Sequence, residues 1–234
     1  MTMHKVVSQD EWLKASQDFL RKEKAFTHAR DELSAARREL PWVKVTKNYV
    51  FDTEQGKKAL SELFGKNDQL IVYHFMFGPG TKEGCPGCSF ISDHVDGELA
   101  HLTHHDVSYV AVSRAPLKEF LPYKKRMDWR FPWVSSAGSD FNFDYGVSFT
   151  DDMIKQGDDM YNFTRGGKTS PGEAPGASVF FKDKNGDIYH TYSSYGRGLD
   201  LMLGVYNWLD ITPKGRNEEG NMSNWMKRHD EYVD

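Results

Sequence analysis

The chain has 234 residues and two cysteines, and the two stand together in Cys85-Pro86-Gly87-Cys88. This spacing suits dithiol chemistry. Ahead of the pair runs a nearly continuous apolar stretch, Gln69 to Phe77, then the turn-rich loop Gly78-Pro79-Gly80-Thr81-Lys82-Glu83-Gly84. The stretch reads as a buried strand, and Cys85 to His105 reads as a helix marked by Phe90, Val95, Leu99 and Leu102. A cysteine that opens a helix meets unpaired backbone N–H groups, which favour an anion. Its pKa then drops from about 8.5 towards about 3.5–7.5. Cys85 is therefore expected to attack as the thiolate, and Cys88, one turn further in, to resolve the mixed disulfide. One helical turn brings the two sulfurs onto one face, close enough to join. Pro86 fits the first helical position, where a missing N–H costs little. Gly87 leaves the sulfur accessible, and Lys82 can stabilise a thiolate by charge. Lys82, Pro86 and Gly87 are the expected substrate contacts.

Other readings of the pair are a half zinc site and two inert thiols. For zinc, His101, His104 and His105 fall roughly 20–25 Å along the same helix. Only His94 would be in reach. No metal and no cofactor is expected. Arg114, Arg197 and Tyr109 are further residues that could reach the cysteine loop. His74, in mid-strand, reads as a satisfied core histidine. His229-Asp230 reads as part of a docking tail that includes Trp225, not as an acid–base pair.

The elements that must hold the dithiol follow from the pattern on either side. Residues 8–40 read as one or two helices, with Ser8 and Glu11 as a capping box and Pro41 as a stop. Val43 to Asp52 reads as a strand or hairpin, and Gly56 to Phe64 as a short helix. Val107 to Ser113 is a second strand. Pro116 to Met127 is a helix that Pro122 would kink or split. The order strand, helix, strand, helix implies right-handed crossovers and a parallel core. Ser178 to Lys182 and Ile188 to Tyr192 read as a hairpin turning at Asn185-Gly186. A last helix covers Leu199 to Leu209, and residues 136–176 read as a surface excursion. The domain reading is an arm at 1–40, a body at 41–212 and a docking tail at 213–234.

Composition bounds the function classes. Apolar residues make 38% and aromatic residues 14% of the chain, which suits a packed globule. Thirty basic against 34 acidic residues give a charge of −4, so no basic footprint for nucleic acid is present. The first ten residues hold no apolar signal-peptide core, and the longest apolar run is too short for a membrane helix. A cytoplasmic protein without membrane contact is expected, and in a reducing cytosol such a Cys pair is more often catalytic or metal-binding than a permanent staple. The arm, with Trp12, Phe19, Phe26 and Leu33, is the candidate homodimer contact.

Beyond these signals, Leu70-Ile71-Val72-Tyr73-His74-Phe75-Met76-Phe77-Gly78 with Gly84-Cys85-Pro86-Gly87-Cys88-Ser89-Phe90 resembles a known family. Leu40-Pro41-Trp42-Val43-Lys44-Val45, Val110-Ala111-Val112-Ser113-Arg114-Ala115-Pro116, Gly138-Ser139-Asp140-Phe141-Asn142-Phe143-Asp144 and Arg228-His229-Asp230-Glu231-Tyr232 agree with it. From about residue 10 onward the chain resembles the thioredoxin-like proteins grouped as the domain of unknown function number 899. That resemblance implies an α/β, three-layer thioredoxin-like fold: a mixed central sheet, helices on both faces and an N-terminal helical arm. It implies thiol–disulfide oxidoreductase activity through Cys85 and Cys88, with a protein or small-molecule thiol or disulfide as partner. It also makes Pro175 the candidate for a cis peptide bond facing the dithiol and contacting substrate. Phe131 to Ser135 and Asp144 to Val147 look like the peroxiredoxin branch, so a thiol peroxidase is the enzymatic alternative. That branch has a Thr three residues before its reactive cysteine, where this chain has Lys82, with Thr81 one residue off. A non-enzymatic redox-sensing or structural protein is the remaining alternative.

Overall fold

The structure, a computed structural model, describes residues 4–167, 172–216 and 225–233. Parts of the arm (1–3) and of the tail (217–224 and 234) lie outside the described residues. The chain divides into two compact units, residues 1–41 and 42–234.

The first unit is one helix, α1 (Gln9–Arg38). Its start is the expected capping box: the Glu11 N–H donates to Ser8 Oγ at 3.3 Å and the Ser8 N–H to the Glu11 carboxylate at 3.0 Å. Arg37 and Arg38 fall in its last turn, favourable to the helix dipole.

The second unit runs β1 (Val43–Lys44), β2 (Val50–Thr53), β3 (Gly56–Ala59), α2 (Leu60–Leu63), β4 (Gln69–His74), α3 (Pro86–Ser92), α4 (Leu99–His104), β5 (Val107–Ser113), α5 (Leu117–Arg126) and β6 (Trp133–Ser135). It continues with α6 (Phe141–Asp144), β7 (Ser148–Phe149), α7 (Asp151–Gln156), β8 (Gly172–Glu173), β9 (Gly176–Lys182), β10 (Ile188–Tyr195), a 3-10 turn (Gly196–Met202) and α8 (Gly204–Asp210). The main sheet has the order β1-β10-β9-β4-β5-β6-β2-β3. Strands β4, β5 and β6 are parallel, and β9 lies antiparallel between β4 and β10. Four adjacent strands, β5-β4-β9-β10, thus join a βαβ unit to a ββα unit in the thioredoxin-like manner.

Side-chain alternation along these strands separates two cores. Leu70, Val72, Val110, Val112, Val134 and Phe180 turn to one face, under Leu60 of α2 and Phe141 of α6. Tyr73, Ala111, Trp133 and Ala177 turn to the other, under α3, α5 and α8. The register sets Ala177, Tyr73, Ala111 and Trp133 in one row across β9, β4, β5 and β6. Small and large side chains alternate in that row, so each ring has room beside an alanine. Trp133 is 1% exposed, stacks on Phe120 at 4.6 Å and donates its indole N–H to Ser113 Oγ at 2.9 Å. Trp133→Ala is expected to cost about 3–5 kcal/mol, read as a lowered urea midpoint with an unchanged slope.

Several expectations need correction. Residues 56–59 pair with β2 as a strand, and only Leu60–Leu63 is helical; backbone pairing across the hairpin overrides the helix preference of Lys57-Lys58-Ala59. The single helix expected over 85–105 is two, α3 and α4. Between them the Asp96 carboxylate accepts the backbone N–H groups of Arg130 and Phe131, and Asp93 takes the Trp129 indole N–H. Pro122 does not end α5, because buried Phe120 and Tyr123 hold its apolar face on the sheet. The last helix begins as a 3-10 turn and becomes α-helical only at Gly204. Residues 136–176 are no mere excursion: Phe141, Asn142, Val147, Ser148 and Phe149 are buried. Among the described residues no helix is long and apolar enough to cross a membrane.

Candidate active site

Cys85 occupies the N-cap of α3, with Pro86 in the first turn as expected. Its carbonyl accepts both the N–H and the hydroxyl of Ser89, each at 2.9 Å. The chain reaches it from the end of β4 through Gly84, whose Cα lies against the Tyr123 ring. A Cβ there would meet that ring at 2.4 Å, so the position demands glycine. Both cysteines are free thiols; Cys85 is partly exposed and Cys88 is buried.

The environment drives the two thiols apart in acidity. The Cys88 thiol acts as a hydrogen-bond donor to the Cys85 sulfur, and this lowers the Cys85 pKa most, to about 6. Burial opposes the drop, while the backbone N–H groups of Cys88 and Gly87 and the Arg228 charge add to it. Cys88 is pushed well above the usual thiol value, first by burial and then by the Cys85 sulfur. The pair therefore holds one proton at neutral pH, on Cys88, and Cys85 is the thiolate.

Two phenols lie by Cys88. The hydroxyls of Tyr73 and Tyr109 are buried with no partner in ordinary hydrogen-bond geometry. Both stand close enough to Cys88 for its charge to raise their own pKa values, and the Tyr73 hydroxyl favours Cys88 ionisation. A buried hydroxyl without a partner costs free energy, and a thiolate on Cys88 is an acceptor for it.

The tail supplies the remaining wall. Arg228, its side chain 14% exposed, donates from Nε to the Gly84 carbonyl at 3.0 Å and pairs with Glu231 and Glu83. Tyr123, hydrogen-bonded to Ser89 at 2.8 Å, is in the same group. His229 binds Asp93 at 2.7 Å, and Asp230 takes a two-pronged contact from Arg126. His229 and Asp230 are thus separate anchors. Trp225 packs edge-on to Phe90 at 5.6 Å. The Met226 sulfur lies 3.7 Å and the Cys85 sulfur 3.9 Å from where a Gly87 side chain would begin. Gly87 leaves space as expected, and Met226 borders that space.

Of the expected substrate contacts, Pro86 and Gly87 lie beside Cys85. Lys82 is exposed, and Arg228 is a cation that acts on the thiolate. Arg228→Gln is expected to raise the Cys85 pKa and slow its alkylation below pH 6, read by iodoacetamide labelling. The register pairs Gly176 with His74, so Pro175 stands at the sheet end from which the cysteine loop departs. The cis bond expected there is not found: every peptide bond among the described residues is trans. Glu173 is paired in β8, Ala174 donates to the Val147 carbonyl and β9 starts at Gly176, so extended backbone carries the chain through Pro175. Its carbonyl accepts the Tyr161 hydroxyl at 2.9 Å.

Arg114 is held by Glu173 at 2.7 Å, and Arg197 by Asp200 at 2.7 Å. His94 has both ring nitrogens engaged: Nδ1 with the Phe90 carbonyl at 2.7 Å, and Nε2 with the Val205 N–H at 3.1 Å. It pins α3 to α8. No group of three or more metal-binding side chains is found among the described residues. His74 is a buried core histidine, bonded to Ser178 Oγ at 2.9 Å, and burial lowers its pKa to about 3. Sequence reasoning missed Arg228, Met226 and Tyr73 as parts of the site. Arg228 meets Gly84 across 144 residues, a separation that no local pattern encodes.

A family model described as "Bacterial protein of unknown function (DUF899)" matches residues 1–232. No curated protein matches. Among solved structures, Peroxidoxin BcpB from Mycobacterium tuberculosis is 14% identical with a TM-score of 0.47, covering 70% of this chain and 94% of its own. A PrxQ cysteine mutant from Xylella fastidiosa is 14% identical with a TM-score of 0.44, covering 68% and 88%. A reduced 2-Cys peroxiredoxin from Plasmodium vivax is 15% identical with a TM-score of 0.41, covering 73% and 95%.

Proposed function

The chain belongs to the DUF899 family, and we propose that it is a thiol–disulfide oxidoreductase acting through Cys85 and Cys88. The observation that carries this reading is the placement of the two thiols, Cys85 partly exposed at the N-cap of α3 and Cys88 buried one turn further in. Cys85 is acidic at a helix cap, and Cys88 is buried and donates to it. In the reaction, the Cys85 thiolate attacks one sulfur of a substrate disulfide. The substrate S–S bond breaks, a Cys85–substrate disulfide forms, and the other substrate sulfur leaves as a thiolate. Cys88 then gives up its proton and attacks Cys85, with the Tyr73 hydroxyl easing the charge on its sulfur. A Cys85–Cys88 disulfide forms, and the second substrate sulfur leaves and takes a proton. The substrate is reduced by two electrons and the dithiol is oxidised by two.

Pro86, Gly87 and the Met226 side chain border the approach to Cys85, while Arg228 and the backbone N–H groups hold its charge. A protein or small-molecule disulfide is the substrate class, in a cytoplasmic setting where the dithiol is kept reduced. The testing experiment equilibrates the protein in glutathione buffers and traps thiols for mass spectrometry. A reversible intramolecular disulfide is expected. Absence of that disulfide at every potential sinks the reading, and fast peroxide consumption by Cys85 without disulfide exchange replaces it with a peroxidase.

A further inference from the structure

The arm carries a pattern that the dithiol reading does not use. Trp12, Phe19, Phe26, Leu33 and Leu40 recur at every seventh residue. Each is exposed, from 44% for Leu40 to 69% for Phe26, and α1 buries no residue at all. The first four fall within α1, where a strict seven-residue repeat keeps them on one face turned to a partner helix. We propose that α1 pairs with α1 of a second copy of this chain, as an antiparallel two-helix coiled coil.

Area argues for a partner of this size. The three aromatic side chains offer about 150–250 Å² each when buried. With the exposed Leu13, Leu20, Leu33 and Leu40, the bare apolar surface comes to about 700 Å² per chain. That is close to the roughly 800 Å² per partner that a stable interface covers, and larger than the patches monomers usually expose.

Shape argues for the antiparallel direction. Three residues after each of the first four large positions stand Ala15, Lys22, Ala29 and Ala36. A parallel pair stacks large on large and alanine on alanine. In an antiparallel pair each large side chain faces a small one: Trp12 the partner's Ala36, Phe19 the partner's Ala29 and Leu33 the partner's Ala15. Phe26 lies on the aliphatic stem of the partner's Lys22. Charge agrees at the ends. The first turn holds Asp10 and Glu11 and the last turn Arg37 and Arg38, so opposite signs meet at both ends of the pair.

The test begins with the mass of the reduced full-length protein by light scattering and sedimentation. A dimer is expected, and a monomer overturns the proposal. Phe19→Glu with Phe26→Glu is expected to give a helical monomer, by circular dichroism, with Cys85 alkylated as fast as before. A dimer that survives both substitutions overturns the assignment to this face. Direction is read in a Cys85→Ser, Cys88→Ser background. Ala29→Cys alone is expected not to cross-link on oxidation, because the two sites lie about 15 Å apart along the axis. Phe19→Cys with Ala29→Cys is expected to cross-link. An efficient cross-link from Ala29→Cys alone overturns the antiparallel arrangement.

Discussion

Replacing Cys85 with serine is expected to abolish disulfide turnover, a loss on the order of 10³-fold or more, as when a covalent nucleophile is removed. The serine hydroxyl remains protonated under conditions in which Cys85 is a thiolate, so the helix cap has no anion to hold. In the parent protein, the alkylation rate of Cys85 should climb as pH rises through about 6 and level off above it. The sign follows from the cause: every group that lowers this pKa favours the charged sulfur, and alkylation consumes the charged form. An ordinary thiol would titrate near about 8.5 instead. A plateau reached only above pH 8 would remove the physical basis for Cys85 as nucleophile. Retained turnover in Cys85→Ser would move the chemistry elsewhere.

Cys88→Ala is expected to act twice. Loss of the thiol donor removes the largest single cause of the Cys85 acidity, so the alkylation midpoint should move up from about 6. Below that pH, each unit of rise slows alkylation about tenfold. The same variant cannot expel a bound substrate, so a Cys85–substrate disulfide should accumulate to about one equivalent and show in the intact mass. Cys88→Ser separates the two effects. Its hydroxyl restores a donor and should recover part of the pKa shift, while the mixed disulfide still accumulates. A Cys88→Ala protein that turns over at the parent rate would show that no resolving thiol is used. An unshifted alkylation midpoint would show that Cys88 does not tune Cys85.

Both variants rest on a division of labour that the fold imposes. Cys85 and Cys88 differ by one helical turn, yet one caps the helix and the other is buried beside Tyr73 of β4 and Tyr109 of β5. The buried side carries the phenols of Tyr73 and Tyr109, and the capping side carries Arg228 and the Met226 contact. The Arg228–Gly84 hydrogen bond ties the tail to the residue preceding the nucleophile. Tail and dithiol are thus coupled through the backbone.

Local pattern determined much of this molecule. The apolar run at 69–77, the glycine-rich loop and the Pro at the second motif position were enough to place Cys85 at a strand–helix junction. The capping box at Ser8, the strand at Val107–Ser113 and the turn at Asn185-Gly186 were legible because each is a contact between near neighbours in sequence. The arm's helix was legible for the same reason, from apolar residues at roughly helical spacing. What only the tertiary structure decided are contacts that span the chain. The break after Ser92 depends on Asp93 and Asp96 meeting residues 129–131. The strand at Gly56–Ala59 depends on pairing with β2, against its helical composition. Lys82, near in sequence, was the expected cation; Arg228, far in sequence, lies against the loop because His229, Asp230 and Trp225 anchor the tail around it. Hydrogen bonding and charge act through space, so the acidity of Cys85 was foreseen in direction from its helix cap. Its principal causes, the Cys88 donor and the partners around it, appear only once the chain is folded.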